Sequence, residues 1–173
     1  MMSSIDLQFP ALDALIGTWR KATDPNAAKG VPPHLTLLFP WRASPLKAVD
    51  FEQLQSAIAG LPAFEVRFLE IGHFENGTIY LETAESSDLH KLMGCIYQSF
   101  PDTPPYRGEF TDPKPHLTIA KAGHDEARIR QLLGEIRRVV SPELPLRCEV
   151  SEVAVMEEQA DGLWETTRTF ALG

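Results

Sequence analysis

The chain has 173 residues, 43% hydrophobic and 23% charged; this balance excludes a disordered chain, and the length is enough to bury a core without a disulfide or metal staple. Sixteen Lys and Arg against 24 Asp and Glu leave a net charge of −8, which argues against coating long nucleic acid through many Lys/Arg–phosphate pairs but not against a pocket for one phosphate. Cys95 and Cys148 lie far apart in no ligand spacing, so they read as reduced thiols of a cytoplasmic protein.

In chain order, 4–9 alternates as a first strand and carries Asp6; nothing in 1–10 reads as a signal peptide, and no apolar run is long enough to cross a membrane. Residues 10–20 place Leu12, Leu15, Ile16 and Trp19 at helical spacing behind Pro10. A polar loop over 21–33 leads to a strand over 34–39, stopped by Pro40, and then a helix over 51–59. Residues 64–74 and 78–83 form a hairpin around Asn76-Gly77. A helix follows over 89–97. The segment 101–115 holds five prolines in 15 residues, and a loop of that length in a compact domain tends to cover a site. A strand over 116–121, an amphipathic helix over 125–140, and strands over 144–156 and 164–172 around Asp161-Gly162 complete the chain. Hairpins mixed with helices predict an α+β fold with antiparallel sheet.

One string occurs twice. Pro33-His34-Leu35-Thr36-Leu37 is matched by Pro115-His116-Leu117-Thr118-Ile119, 82 residues later. Each copy follows a proline-containing loop and precedes a helix, so the chain reads as a duplicated unit with two lobes related by an approximate twofold axis. On a strand, His34 and Thr36 share one face about 7 Å apart while Leu35 and Leu37 face a core; His116 and Thr118 repeat the pattern. Two lobes facing each other would line one groove with two imidazoles and two hydroxyls. That set suits phosphodiester chemistry: one histidine takes a proton from the attacking oxygen, the other gives one to the leaving oxygen. The hydroxyls donate to non-bridging phosphate oxygens. A metal site lacks its usual donors, since there is no HExxH and no Cys cluster; no metal or cofactor is expected. His73, His90 and His124 are singletons with no expected catalytic role.

The paired His-x-Thr strands, with the flanking text GVPPHLTLLFPW and PPYRGEFTDPKPHLTIAKAG, resemble the 2H phosphoesterase superfamily and its bacterial 2′-5′ RNA ligase-like branch. The resemblance covers nearly the whole chain. It implies a single bilobal α+β domain over 1–173 with the site in the cleft, acting without metal on 2′,3′-cyclic phosphates or 2′-5′ linkages. His34 and His116 match the catalytic histidines; Thr36 and Thr118 match the phosphate-binding threonines. Lys121, five positions after His116, is the implied phosphate contact. Phe39, Trp41 and Tyr106 are candidates for stacking a base, and Tyr106 with Arg107 could close over substrate from the long loop.

The expected reaction is hydrolysis of a cyclic phosphate on a nucleotide or RNA end, with His116 as base and His34 as acid. The roles exchange if the opposite ester bond is cut, and 2′-5′ ligation is the same chemistry reversed. The acidic charge favours a small nucleotide over RNA. A different small cyclic phosphate, such as one derived from ADP-ribose, and a non-catalytic module binding nucleotides or RNA ends remain open. The protein is expected to act as a monomer, away from membranes and from long duplexes.

Overall fold

The computed structural model describes residues 1–111 and 113–173; Asp112, within the predicted proline-rich loop, lies outside them. The strands are β1 (Ser3–Gln8), β2 (His34–Leu38), β3 (Phe64–His73), β4 (Thr78–Thr83), β5 (His116–Lys121), β6 (Leu146–Val150), β7 (Glu152–Glu158) and β8 (Trp164–Ala171). The helices are α1 (Asp13–Thr23), α2 (Pro25–Ala28), α3 (Ala48–Ile58), α4 (Ser87–Ser99) and α5 (Glu126–Val140). The strands form one antiparallel sheet in the order β6-β3-β4-β5-β2-β1-β7-β8. This is the α+β architecture that the pattern predicts.

The order divides naturally between β5 and β2. Each half has four strands, and each carries one His-x-Thr copy on its innermost strand. The two copies meet at Leu35 opposite Leu117, both fully buried. The halves also exchange helices. α1 follows β1 yet packs on β5 of the other half, and α4 follows β4 yet packs on β2. Apolar side chains from both halves therefore form one buried cluster behind the sheet, while the histidines and threonines face the other way.

The predicted single strand over 144–156 is two strands. Ser151 alone separates β6 from β7, which lie near opposite ends of the strand order. β6 pairs with β3, and β7 pairs with β1 and β8. The sheet must curl to bring these ends together, and the Leu172 N–H donates to the Ser151 carbonyl at 2.8 Å. The apolar alternation holds through Val150, is interrupted by the exposed pair Ser151-Glu152, and resumes one residue out of step at Val153; a slip of one residue within an otherwise alternating stretch is the local mark of the change of partner.

Helix ends differ for a related reason: polar capping residues dilute apolar spacing. α3 starts at Ala48, where the Asp50 carboxylate accepts the Lys47 N–H at 2.9 Å. α4 starts at Ser87, with the Ser86 hydroxyl accepting the Leu89 N–H at 3.2 Å. Within the predicted loop over 21–33, Asp24 caps α2 by accepting the Asn26 N–H at 3.1 Å, with Pro25 at the first helical position.

Candidate active site

The two histidines are oriented identically. The His34 Nδ1–H donates to the Pro32 carbonyl at 2.8 Å, and the His116 Nδ1–H donates to the Lys114 carbonyl at 2.8 Å. A carbonyl can only accept, so each bond puts the proton on Nδ1 and leaves Nε2 for a ligand. Neutral, that nitrogen is a base; protonated, it is an acid. The intervening Pro33 and Pro115 restrict the backbone that presents each carbonyl to its ring.

Both rings line one cavity of about 290 Å³ that also takes in Thr36, Phe39, Tyr106, Thr118 and Lys121. These seven of the expected residues thus share one space. Trp41 does not: it is 2% exposed and packs edge-on against Phe100, ring centroids 5.2 Å apart. It is a core residue: beyond the end of β2 its N–H donates to the Ser3 carbonyl at 2.9 Å, and its ring packs against Phe100 away from the cleft. Arg107 also lies outside the cavity, with its guanidinium 3.9 Å from the Met2 sulfur. His73, His90 and His124 are exposed and line no part of it.

The surroundings of the two histidines are not equivalent. His116 sits among aromatic rings: Phe74 meets it edge-on at 4.9 Å and Tyr80 at 5.4 Å, while Phe74 and Tyr80 stack at 4.3 Å. Gly72 makes room for this arrangement, since a Cβ there would lie 2.7 Å from the Tyr80 ring. Burial pushes His116 below the usual imidazole value of 6.5; its bond to Lys114 opposes this, and the charges of His34, Lys121 and Lys114 add to it. On the other side, β1 places Asp6 opposite Thr36. Burial raises the Asp6 carboxyl, against the charge of His34 and the hydroxyls of Ser4 and Thr36.

Lys121 brings a positive charge, anchored from behind. Its ammonium lies 3.4 Å from Asp24 Oδ1, and Arg20 Nη2 lies 3.5 Å from Asp24 Oδ2. Arg20 and Asp24 are both buried, so the pair holds Lys121 through a fixed carboxylate. Tyr106 enters from the long segment on a strained backbone: it and Arg107 have φ of 51° and 57°, rare for non-glycine residues. Its N–H donates to the Phe39 carbonyl at 2.6 Å. Burial first, then the Asp6 charge, raises its phenol, so the hydroxyl stays protonated beside Thr36. Among the described residues, no three His, Cys, Asp or Glu side chains group as a metal site.

The sequence model of the 2′-5′ RNA ligase superfamily matches residues 9–162, which include both His-x-Thr strands. The chain belongs to this superfamily. A Bacillus pumilus (strain SAFR-032) protein named "Putative phosphoesterase" is 27% identical over 95% of this chain and 94% of its own length. The fold is that of TT0787 of Thermus thermophilus (TM-score 0.65, 20% identity, 99% of this chain and 98% of that one). It is also that of E. coli LigT complexed with 3′-AMP (TM-score 0.63, 15% identity, 99% and 97%).

For this member of the 2′-5′ RNA ligase superfamily, the residues lining the cavity that the sequence reading passed over include Asp6, Asp24 and Trp164. Asp6 carried the one available signal, the single charged side chain in the strand Ser3–Gln8. Asp24 reads as half of an Asp-Pro turn. Trp164 reaches the cavity from the start of β8 and lies 6.1 Å from Phe39, centroid to centroid; no local pattern links residues that far apart.

Proposed function

We propose that this chain is a metal-independent cyclic phosphodiesterase that opens a 2′,3′-cyclic phosphate on a nucleotide or RNA end. The observation that carries the reading is the pair of Nε2-free histidines, one from each half of the sheet, on a single cavity. His116 takes a proton from water as its oxygen bonds to phosphorus. The bond from phosphorus to one ribose oxygen breaks, and His34 gives that oxygen a proton. Thr36 and Thr118 donate to the non-bridging oxygens, and Lys121 balances their charge. Phe39 and Tyr106 offer aromatic surface for the base. An RNA hydroxyl in place of water, bonding to the same phosphorus as the ribose oxygen leaves, would run the same steps as 2′-5′ ligation. Complexes of LigT with 3′-AMP, with ATP and with NADP+ support a nucleotide as ligand. The net charge of −8 favours a small nucleotide over a long RNA. We read 1–173 as one bilobal unit acting as a cytoplasmic monomer, since one chain supplies every group used. Among the described residues no helix is long and apolar enough to cross a membrane.

The direct test is release of a nucleoside monophosphate from a 2′,3′-cyclic nucleotide with excess EDTA present. Full turnover in chelator is expected; activity abolished by EDTA and restored by a divalent ion would end the metal-free reading.

The aromatic box gives a pH signature. A His116 held below 6.5 stays a base into mildly acidic solution, so the acid limb of kcat/KM should lie below pH 6.5. Phe74→Ser admits water beside the ring and should move that limb upward, toward the unperturbed imidazole. A limb unmoved in this variant would detach the box from the titration. The sign for stability follows from the same lowering: the stabilisation from neutral His116 is present above 6.5 and is lost as pH falls through the folded-state value.

A further inference from the structure

Asp6 is an anomaly in a cavity read as a phosphate site. It is 1% exposed and lines that cavity from β1. Its Oδ2 accepts the Ser4 hydroxyl, while Oδ1 has no hydrogen-bond partner. Among the described residues, no Lys or Arg forms an ion pair with it. From the elements packed against it, β2 presents His34 and Thr36, the long segment presents Tyr106, and β7 presents Ala154 in register. An ionised carboxylate there would be buried, half unsatisfied, and set against the anion the cavity is read to hold. A carboxylic acid removes the charge and turns the unpartnered oxygen into a donor toward that anion. The other half of the sheet agrees. The register position opposite Thr118, equivalent to that of Asp6 opposite Thr36, is held by Tyr80, a neutral residue with a hydroxyl.

We propose that Asp6 is a substrate-binding residue held as a neutral carboxylic acid, its Oδ1–H donating to a non-bridging phosphate oxygen beside Thr36. The inference rests on the phosphate reading above. Burial of the carboxyl, which raises it, acts in the same direction. A related neutral acid that donates at an oxyanion site has precedent in enzyme chemistry.

The test uses dimethyl phosphate, which keeps a single charge across the working pH range, and the full chain as wild type, Asp6→Asn and Asp6→Ala. Binding is read from imidazole NMR signals, independently of turnover. The amide of Asp6→Asn retains a donor, so its affinity should stay within about twofold of wild type, whereas Asp6→Ala should bind about tenfold more weakly. At about pH 5, binding to Asp6→Asn about tenfold tighter than to wild type would mean that a repelling charge had been removed, and would overturn the neutral acid. Equal binding by Asp6→Ala and wild type would overturn it as well. If Asp6→Ala fails to fold, the comparison of wild type with Asp6→Asn decides alone. Their ratio should be flat at about pH 5 and turn against wild type only as the acid titrates at higher pH; a ratio already against wild type at pH 5 overturns the proposal. No binding by wild type would instead sink the phosphate reading and this inference with it.

Discussion

His116→Ala is expected to lower kcat/KM for a 2′,3′-cyclic mononucleotide by ~10²–10⁴-fold, and His34→Ala by a similar factor. Each ring presents a free Nε2 to the same cavity, and each is assigned one of two proton transfers to one phosphorus centre. Groups that act as a unit are not additive, so the double variant should lose little more than the worse single variant. Neither ring is a core residue, so unfolding midpoints should change little, and the loss should appear in turnover rather than in folded fraction. Steady-state kinetics with matched melting curves make the measurement. Near-wild-type activity in either single variant would falsify two-histidine catalysis. Variants that still bind the nucleotide, beside a wild type that binds without turnover, would favour a binding module. The cut bond also bears on the roles: a product with the phosphate on the unexpected ribose oxygen would exchange acid and base without disturbing the site.

Leu117→Ala is expected to destabilise the fold by ~2–5 kcal/mol, the usual range for a fully buried leucine. Leu117 is 0% exposed and meets Leu35 where the two halves of the sheet join. Helix α1, which belongs to the other half by connection, packs on the same strand. A cavity there therefore loosens a junction that neighbouring side chains cannot refill by collapsing on one side. Urea unfolding should show a lower midpoint with an unchanged slope. Leu163→Ala, at an exposed turn position, should stay within about 0.5 kcal/mol of wild type. A loss below about 1 kcal/mol for Leu117→Ala would mean that the junction is not tightly packed. His116 and Thr118 flank Leu117 on the opposite face, so catalytic loss at temperatures where the variant remains folded would report a shift of the strand itself.

Much of the site was legible because the information was local. A strand sends alternate residues to opposite faces, so His34 and Thr36 had to lie together once Leu35 was buried, and the same holds around Leu117. The proline ahead of each histidine set its backbone, and with it the ring. Lys121 and Tyr106 came from family resemblance, and both line the cavity. Trp41 shows the limit. It and Phe39 are both aromatic and near the first motif, and only packing against Phe100 distinguishes a core residue from a cavity wall.

What the sequence by itself determined is the pair of His-x-Thr strands, the face each presents, and a duplicated α+β chain to carry them. These follow from spacing of one or two residues, where covalent geometry leaves little freedom. Only the tertiary structure decided that β1 supplies a buried carboxylate opposite Thr36, that Asp24 anchors Lys121, and that the chain changes strand partner at Ser151. Those outcomes depend on which strand lies beside which, and on which side chains lose water together. Such choices are settled by burial and pairing summed over the whole sheet, and no short stretch of residues records that sum.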